Sequence, residues 1–69
     1  MQRQFVASSD LRSVGYDPST QTLEIEFNSG GIYVYYGVPL SEYQNLMAAG
    51  SKGRYFHSHI KRYPYKRIL

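Results

Sequence analysis

The segment Thr22-Leu23-Glu24-Ile25-Glu26-Phe27 alternates apolar and acidic side chains without interruption. A period of two is the signature of a strand with one face buried and the other wet. Turn signals bracket it on both sides. Upstream, Asp17-Pro18-Ser19-Thr20 is a reversal in which proline presets φ and the aspartate can hold backbone amides, which makes "LRSVGY" at 11–16 the partner strand. Downstream, Asn28-Ser29-Gly30-Gly31 supplies glycine for the positive φ of a tight hairpin and leads into "IYVYYGV" at 32–38. Three antiparallel strands in a meander are the expected result.

The spacing becomes helical after Val38-Pro39, because proline cannot donate to a ladder and the residue before it avoids helix. Ser41 is expected as an N-cap with Gln44 completing a capping box, followed by an apolar stripe of Tyr43, Leu46 and Met47 and a stop at Gly50. Ser51 is expected to cap a second short helix running through Ile60, with Phe56 and Ile60 on one face and Arg54, His57 and Lys61 on another. Tyr63-Pro64-Tyr65 breaks the regularity, so residues 62–69 are expected as an extended basic arm beyond a core of about 8–61. The fold class is α+β: a three-stranded antiparallel β-meander followed by two short α-helices packed on one face, in a single domain of 69 residues.

A chain of this length buries only about 60% of its extended surface. It has no cysteine, so neither a disulfide nor a thiolate metal site supports it. That composition suits a reducing cytoplasm. "MQRQFVASS" lacks the apolar run of a signal peptide, and no stretch approaches the roughly 18 to 20 apolar residues of a membrane span. The net charge of +3 is unevenly placed: residues 1–42 carry all five acids against Arg3 and Arg12, while Lys52, Arg54, Lys61, Arg62, Lys66 and Arg67 follow with no acid among them. Such a one-signed segment attracts phosphates or acidic surfaces, or simply keeps a tail solvated.

The ordered pieces "VGYDPSTQTLEIEF", Tyr33-Val34-Tyr35, "GVP" at 37–39 and "SKGRYFHSHI" at 51–60 together resemble the KTSC family, a short domain named for its place at the carboxy-terminus of some lysyl-tRNA synthetases and also found as a free-standing bacterial protein. The resemblance covers most of the chain. It implies Tyr33, Tyr35 and Pro39 as family-motif positions of mainly structural role. It carries over no catalytic residue, and it brings a suggestion of RNA binding from the tRNA-handling setting.

The face occupied by Tyr33 and Tyr35 depends on hairpin register, since a shift of one residue turns every side chain of the third strand over. With a two- or four-residue connection Phe27 opposes Ile32, and Val34 and Tyr36 are buried while Tyr33 and Tyr35 stand outside beside Glu24 and Glu26. With a three-residue loop and Gly30 in the left-handed region, Ile25 opposes Tyr33, Leu23 opposes Tyr35, and the motif is core. Apolar periodicity favours the first register. The resemblance favours the second, because family members often carry a polar residue where Val34 stands, and a tyrosine can bury its ring while its hydroxyl reaches the rim. The similarity of "GGIYVYYG" to the RNA-stacking strand of an RRM lacks the leading basic residue and the two interleaved helices of that fold.

In the carboxy-terminal stretch, Lys52, Arg54, His57, Lys61, Arg62, Lys66 and Arg67 alternate with Tyr55, Phe56, Tyr63 and Tyr65. Cations meet phosphates and free rings stack on unpaired bases, each stack contributing about 1 to 3 kcal/mol. The bland alternative is that these rings cover a sparse core. Of the rings, Tyr63 and Tyr65 are the candidate stackers. His57-Ser58-His59 has no cysteine or carboxylate nearby to complete a metal shell, and on a helix its two imidazoles diverge. No nucleophile elbow or oriented base accompanies Ser8-Ser9-Asp10, and no cofactor motif occurs. The expectation is a non-catalytic binding module, without cofactor or metal, that takes RNA or another polyanion through this face. The alternative is a protein-interaction module, with a protein partner or a second copy of itself, built on its tyrosine-rich surface.

Overall fold

Five strands form the sheet in the computed structural model, which describes residues 1–69. They are β1 (Arg3–Phe5), β2 (Leu11–Asp17), β3 (Thr22–Phe27), β4 (Ile32–Tyr35) and β5 (Tyr65–Arg67), hydrogen-bonded in chain order with every neighbour antiparallel. The central three are the meander expected from the sequence. The other two correct that expectation at both ends. β1 pairs Arg3–Phe5 with Ser13–Gly15, and the Val6 amide extends the pairing to the Arg12 carbonyl. The expected free arm is an edge strand: the Tyr36 amide bonds to the Pro64 carbonyl, Ile32 and Ile68–Leu69 exchange backbone bonds, and Tyr33–Tyr35 pairs with Tyr65–Arg67. A three-residue segment gives too little periodicity to announce a strand. Here β4 offers its second edge, and the unpaired donors and acceptors of that edge are satisfied by the returning chain.

The hairpin adopts the three-residue loop. The Gly30 amide returns to the Phe27 carbonyl, the Phe27 amide bonds to Gly31, and Gly30 has φ of +100°, a conformation that glycine takes without steric cost. Leu23 therefore opposes Tyr35 and Ile25 opposes Tyr33, and the Tyr-x-Tyr pair faces the helices. The apolar pattern of Ile32 and Val34 pointed the other way because both are buried as well, on the opposite face of a strand flanked by partners on both edges.

Val38-Pro39 ends the sheet as expected. The helix α1 (Leu40–Ala48) starts directly after Pro39 with no side-chain cap, so Ser41 does not act as N-cap and the capping box does not form. Pro39 takes the N-cap position in extended conformation, and its carbonyl accepts from the Glu42 and Tyr43 amides. The helix leaves through Ala49 in extended conformation rather than through a left-handed Gly50. After it, α2 (Lys52–Tyr55) is capped by the Ser51 hydroxyl, which accepts from the Arg54 amide, and runs without a break into a wider π turn at Phe56–Ile60, where the Lys61 amide bonds to the Phe56 carbonyl. Both helices lie on one face. Leu46, Phe56 and Ile60 close over Leu11, Val14, Leu23, Ile25, Tyr35 and Val38 to make the core. Tyr16 stacks on Tyr43 at 4.7 Å between ring centroids, and its hydroxyl donates to the Val38 carbonyl at 2.6 Å.

Candidate functional site

The burial of the Tyr-x-Tyr pair builds a hollow at the edge of the core. Side chains alternate along a strand, so Tyr65 and Arg67 of β5 stand on the same face as their partners Tyr35 and Tyr33, while Lys66 points with Val34 to the other. The rings of Tyr33 and Tyr35 are 5.8 and 5.7 Å from that of Tyr65, Phe56 meets Tyr35 edge-on at 5.4 Å, and Phe27 meets both Phe56 and Tyr33 edge-on. Between the hairpin turn, β5 and the second helix this leaves an open hollow of about 360 Å³ with Asp10, Ser29, His57 and Lys61 at its rim. Tyr65, 60% exposed, is the ring that solvent reaches most freely there. Arg67 lies over Tyr33, its guanidinium carbon 5.7 Å from the ring centroid, and its Nε donates to the Leu69 carbonyl.

Asp10 comes to this rim from the far end of the chain. Its amide donates to the Ser8 hydroxyl and its carbonyl accepts from the Asn28 amide, which fixes the residue against the hairpin turn. Gly53 lets the second helix approach closely: a Cβ there would sit 3.0 Å from the Asp10 Cβ. One turn later on the helix, His57 Nε2 lies 2.9 Å from Asp10 Oδ2. The Tyr33 and Tyr35 hydroxyls bond to no other side chain, and since no buried polar side-chain atom lacks a partner, both reach solvent; both residues line the hollow. Burial, with smaller contributions from Tyr33 and Tyr65, pushes the Tyr35 hydroxyl up to about 12.

The sequence-derived site residues divide among several places. His57, Lys61, Tyr65 and Arg67 gather with Tyr33 and Tyr35 around the aromatic hollow. Arg54 does not join them; it lines a second, shallower hollow of about 300 Å³ with Tyr55, Ser58 and His59. The regular helical spacing that would align it with Lys61 fails because the wider turn at Phe56–Ile60 intervenes. Lys52 donates through Nζ to the Ala49 carbonyl at 3.3 Å. Arg62 is exposed in the turn that follows the helix, and Lys66 projects from the opposite side of the sheet. Tyr63 is not a free stacking ring: it packs against the core, and its hydroxyl donates to Glu42 Oε2 at 3.0 Å. The Tyr55 hydroxyl donates to Glu42 Oε1. Burial first, and the Glu42 carboxylate second, raise the hydroxyls of both tyrosines above the usual range. His59 diverges from His57 and stacks on Tyr55 at 4.4 Å. Pro39 stays structural at the start of α1. Sequence reasoning missed Phe27 as a wall of the hollow, and Asp10 and Glu42, whose partners lie 13 to 47 residues away; no local pattern marks such pairings.

The KTSC domain family model matches residues 7–65. An uncharacterised protein of Stutzerimonas stutzeri strain A1501 is 49% identical over 99% of both chains. A lysine–tRNA ligase of Nostoc is 51% identical over 77% of this chain, a segment that makes up 9% of the ligase. The crystal structure of a KTSC domain protein from Yersinia pestis superposes with a TM-score of 0.96 at 48% identity, covering 99% of this chain and 97% of that one. With the Tyr-x-Tyr strand, the helix pair behind it and a family match across most of its length, this chain belongs to the KTSC domain family.

Proposed function

We propose that this domain is a non-catalytic module that binds RNA in unpaired form, with the aromatic hollow and its basic rim as the contact surface. The observation that carries the reading is the meeting of an exposed ring, Tyr65, with Lys61, His57 and Arg67 on one face of so small a protein. Cations placed beside a free π-face suit single strands, where phosphate contact and base stacking act together. The hollow is too small for a duplex, and the second helix is too short to serve as a groove-reading element. The lysine–tRNA ligase relatives add a setting in which an RNA partner is near. Lys52, Arg54, Arg62 and Lys66 lie outside the hollow and act in this reading as a general cationic field that steers the polyanion inward.

A fluorescent pool of short single-stranded RNAs, titrated at about 50 and 200 mM salt, tests the proposal. Binding that weakens steeply with salt supports it; no binding at the lower salt rejects it. A second reading, contact with another protein or a second copy, is favoured by Phe5 and Leu69, each 76% exposed. Affinity of that kind changes little with salt, and solution mass measured across concentration detects self-association.

A further inference from the structure

We infer that the aromatic hollow selects one unstacked guanine base, with Asp10 reading its Watson–Crick edge and Tyr65 supplying the stacking surface; this rests on the RNA-binding reading above. A volume of about 360 Å³ lies at the small end of ligand pockets and matches a single nucleotide rather than a stacked run. A carboxylate at the rim of a surface meant only for phosphates would work against it, since like charges repel. Asp10 is nevertheless held there by its backbone bonds to Ser8 and Asn28. A carboxylate is acceptor-only and has about four lone-pair sites on its two oxygens. His57 occupies one of them on Oδ2, and Oδ1 has no partner in the chain.

Among the RNA bases, guanine alone presents two adjacent N–H donors, at N1 and N2, on its Watson–Crick edge. These fit a carboxylate in bidentate fashion while His57 keeps its own site. Cytosine and adenine offer one amino group and uracil one imide N–H, so each makes a single bond to the same group. With the base edge at Asp10, the flanking phosphates meet Lys61 and Arg67. The carboxylate thus acts as the specificity element inside a basic surface, and the tyrosines set the plane in which the base is held.

The test uses the full chain and four nine-nucleotide RNAs, uridine throughout except for A, C, G or U at the centre, measured by fluorescence anisotropy. The G oligonucleotide is expected to bind about tenfold more tightly than the U one, the discrimination of a good bidentate pair. Asp10→Asn, which keeps a single acceptor oxygen, should bring the affinity of the G oligonucleotide down to that of the U one. Tyr65→Ala should weaken all four by about tenfold. Thermal unfolding shows that each variant keeps its fold; should Asp10→Asn fail to fold, His57→Gln, which leaves the carboxylate in place, must retain the G preference. No binding of any oligonucleotide rejects the RNA reading itself. Equal binding of all four by the unaltered chain, or a G preference that survives Asp10→Asn, overturns the guanine inference alone.

Discussion

Gly15 shows how one absent side chain recruits a strand. A Cβ at this position would stand 2.8 Å from the Gln2 carbonyl oxygen and 3.1 Å from Arg3 Cγ, so β1 can lie against β2 only because nothing projects there. The obstacle would be backbone, which cannot step aside as a flexible side chain can. Gly15→Ala is expected to displace β1 and cost about 1 to 3 kcal/mol, the range for overpacking. Denaturant unfolding measures the loss, and the Val6 amide, bonded to Arg12, should exchange faster. Unchanged stability together with unchanged Val6 protection would show that β1 does not depend on this gap. Arg3 adds to the same attachment through its bonds to the Ser13 hydroxyl and Glu24, but that ion pair is partly open to water and contributes little by itself.

At the scale of elements, Glu42 ties three of them together. It lies in the first turn of α1 and accepts from Tyr55 at the end of α2 and from Tyr63 in the approach to β5. Glu42→Ala removes both acceptors and is expected to cost about 1 to 3 kcal/mol, as for hydrogen bonds to a charged group, by equilibrium unfolding in urea. A cost near zero would mean that the tyrosines are held by packing alone. The meander and the two helices were legible in the sequence because local chemistry writes them: the alternation of Leu23, Ile25 and Phe27, the Asp17 carboxylate accepting from Ser19, and the Ser51 cap. The edge strands were not, because Arg3–Phe5 and Tyr65–Arg67 become strands only through neighbours already in place. The site divides in the same way. His57, Lys61, Tyr65 and Arg67 could be nominated from a basic, aromatic tail, whereas Asp10 reaches His57 across 47 residues, and the separation of Arg54 from Lys61 required knowing that the helix widens between them.

For the molecule as a whole, the tyrosines set a limit on alkaline tolerance. Burial holds the Tyr35 hydroxyl at about 12 and raises those of Tyr16, Tyr55 and Tyr63 in the same direction. An unfolded tyrosine ionises near 10, so the fold favours the neutral phenol. That contribution is complete below pH 10 and is lost as pH climbs toward 12. The urea midpoint should hold steady up to about pH 10 and fall beyond it; a midpoint that stays flat to pH 12 would contradict the burial of these rings. The π turn at Phe56–Ile60 acts at this scale too. Each residue of an ordinary helix advances the chain by about 100° around its axis, so excising a single residue there would leave a respectable helix that delivers the chain out of phase. Were β5 to follow by slipping one residue along β4, Tyr65 and Lys66 would exchange sides, and the hollow would lose an aromatic wall although Tyr65 itself had not been altered.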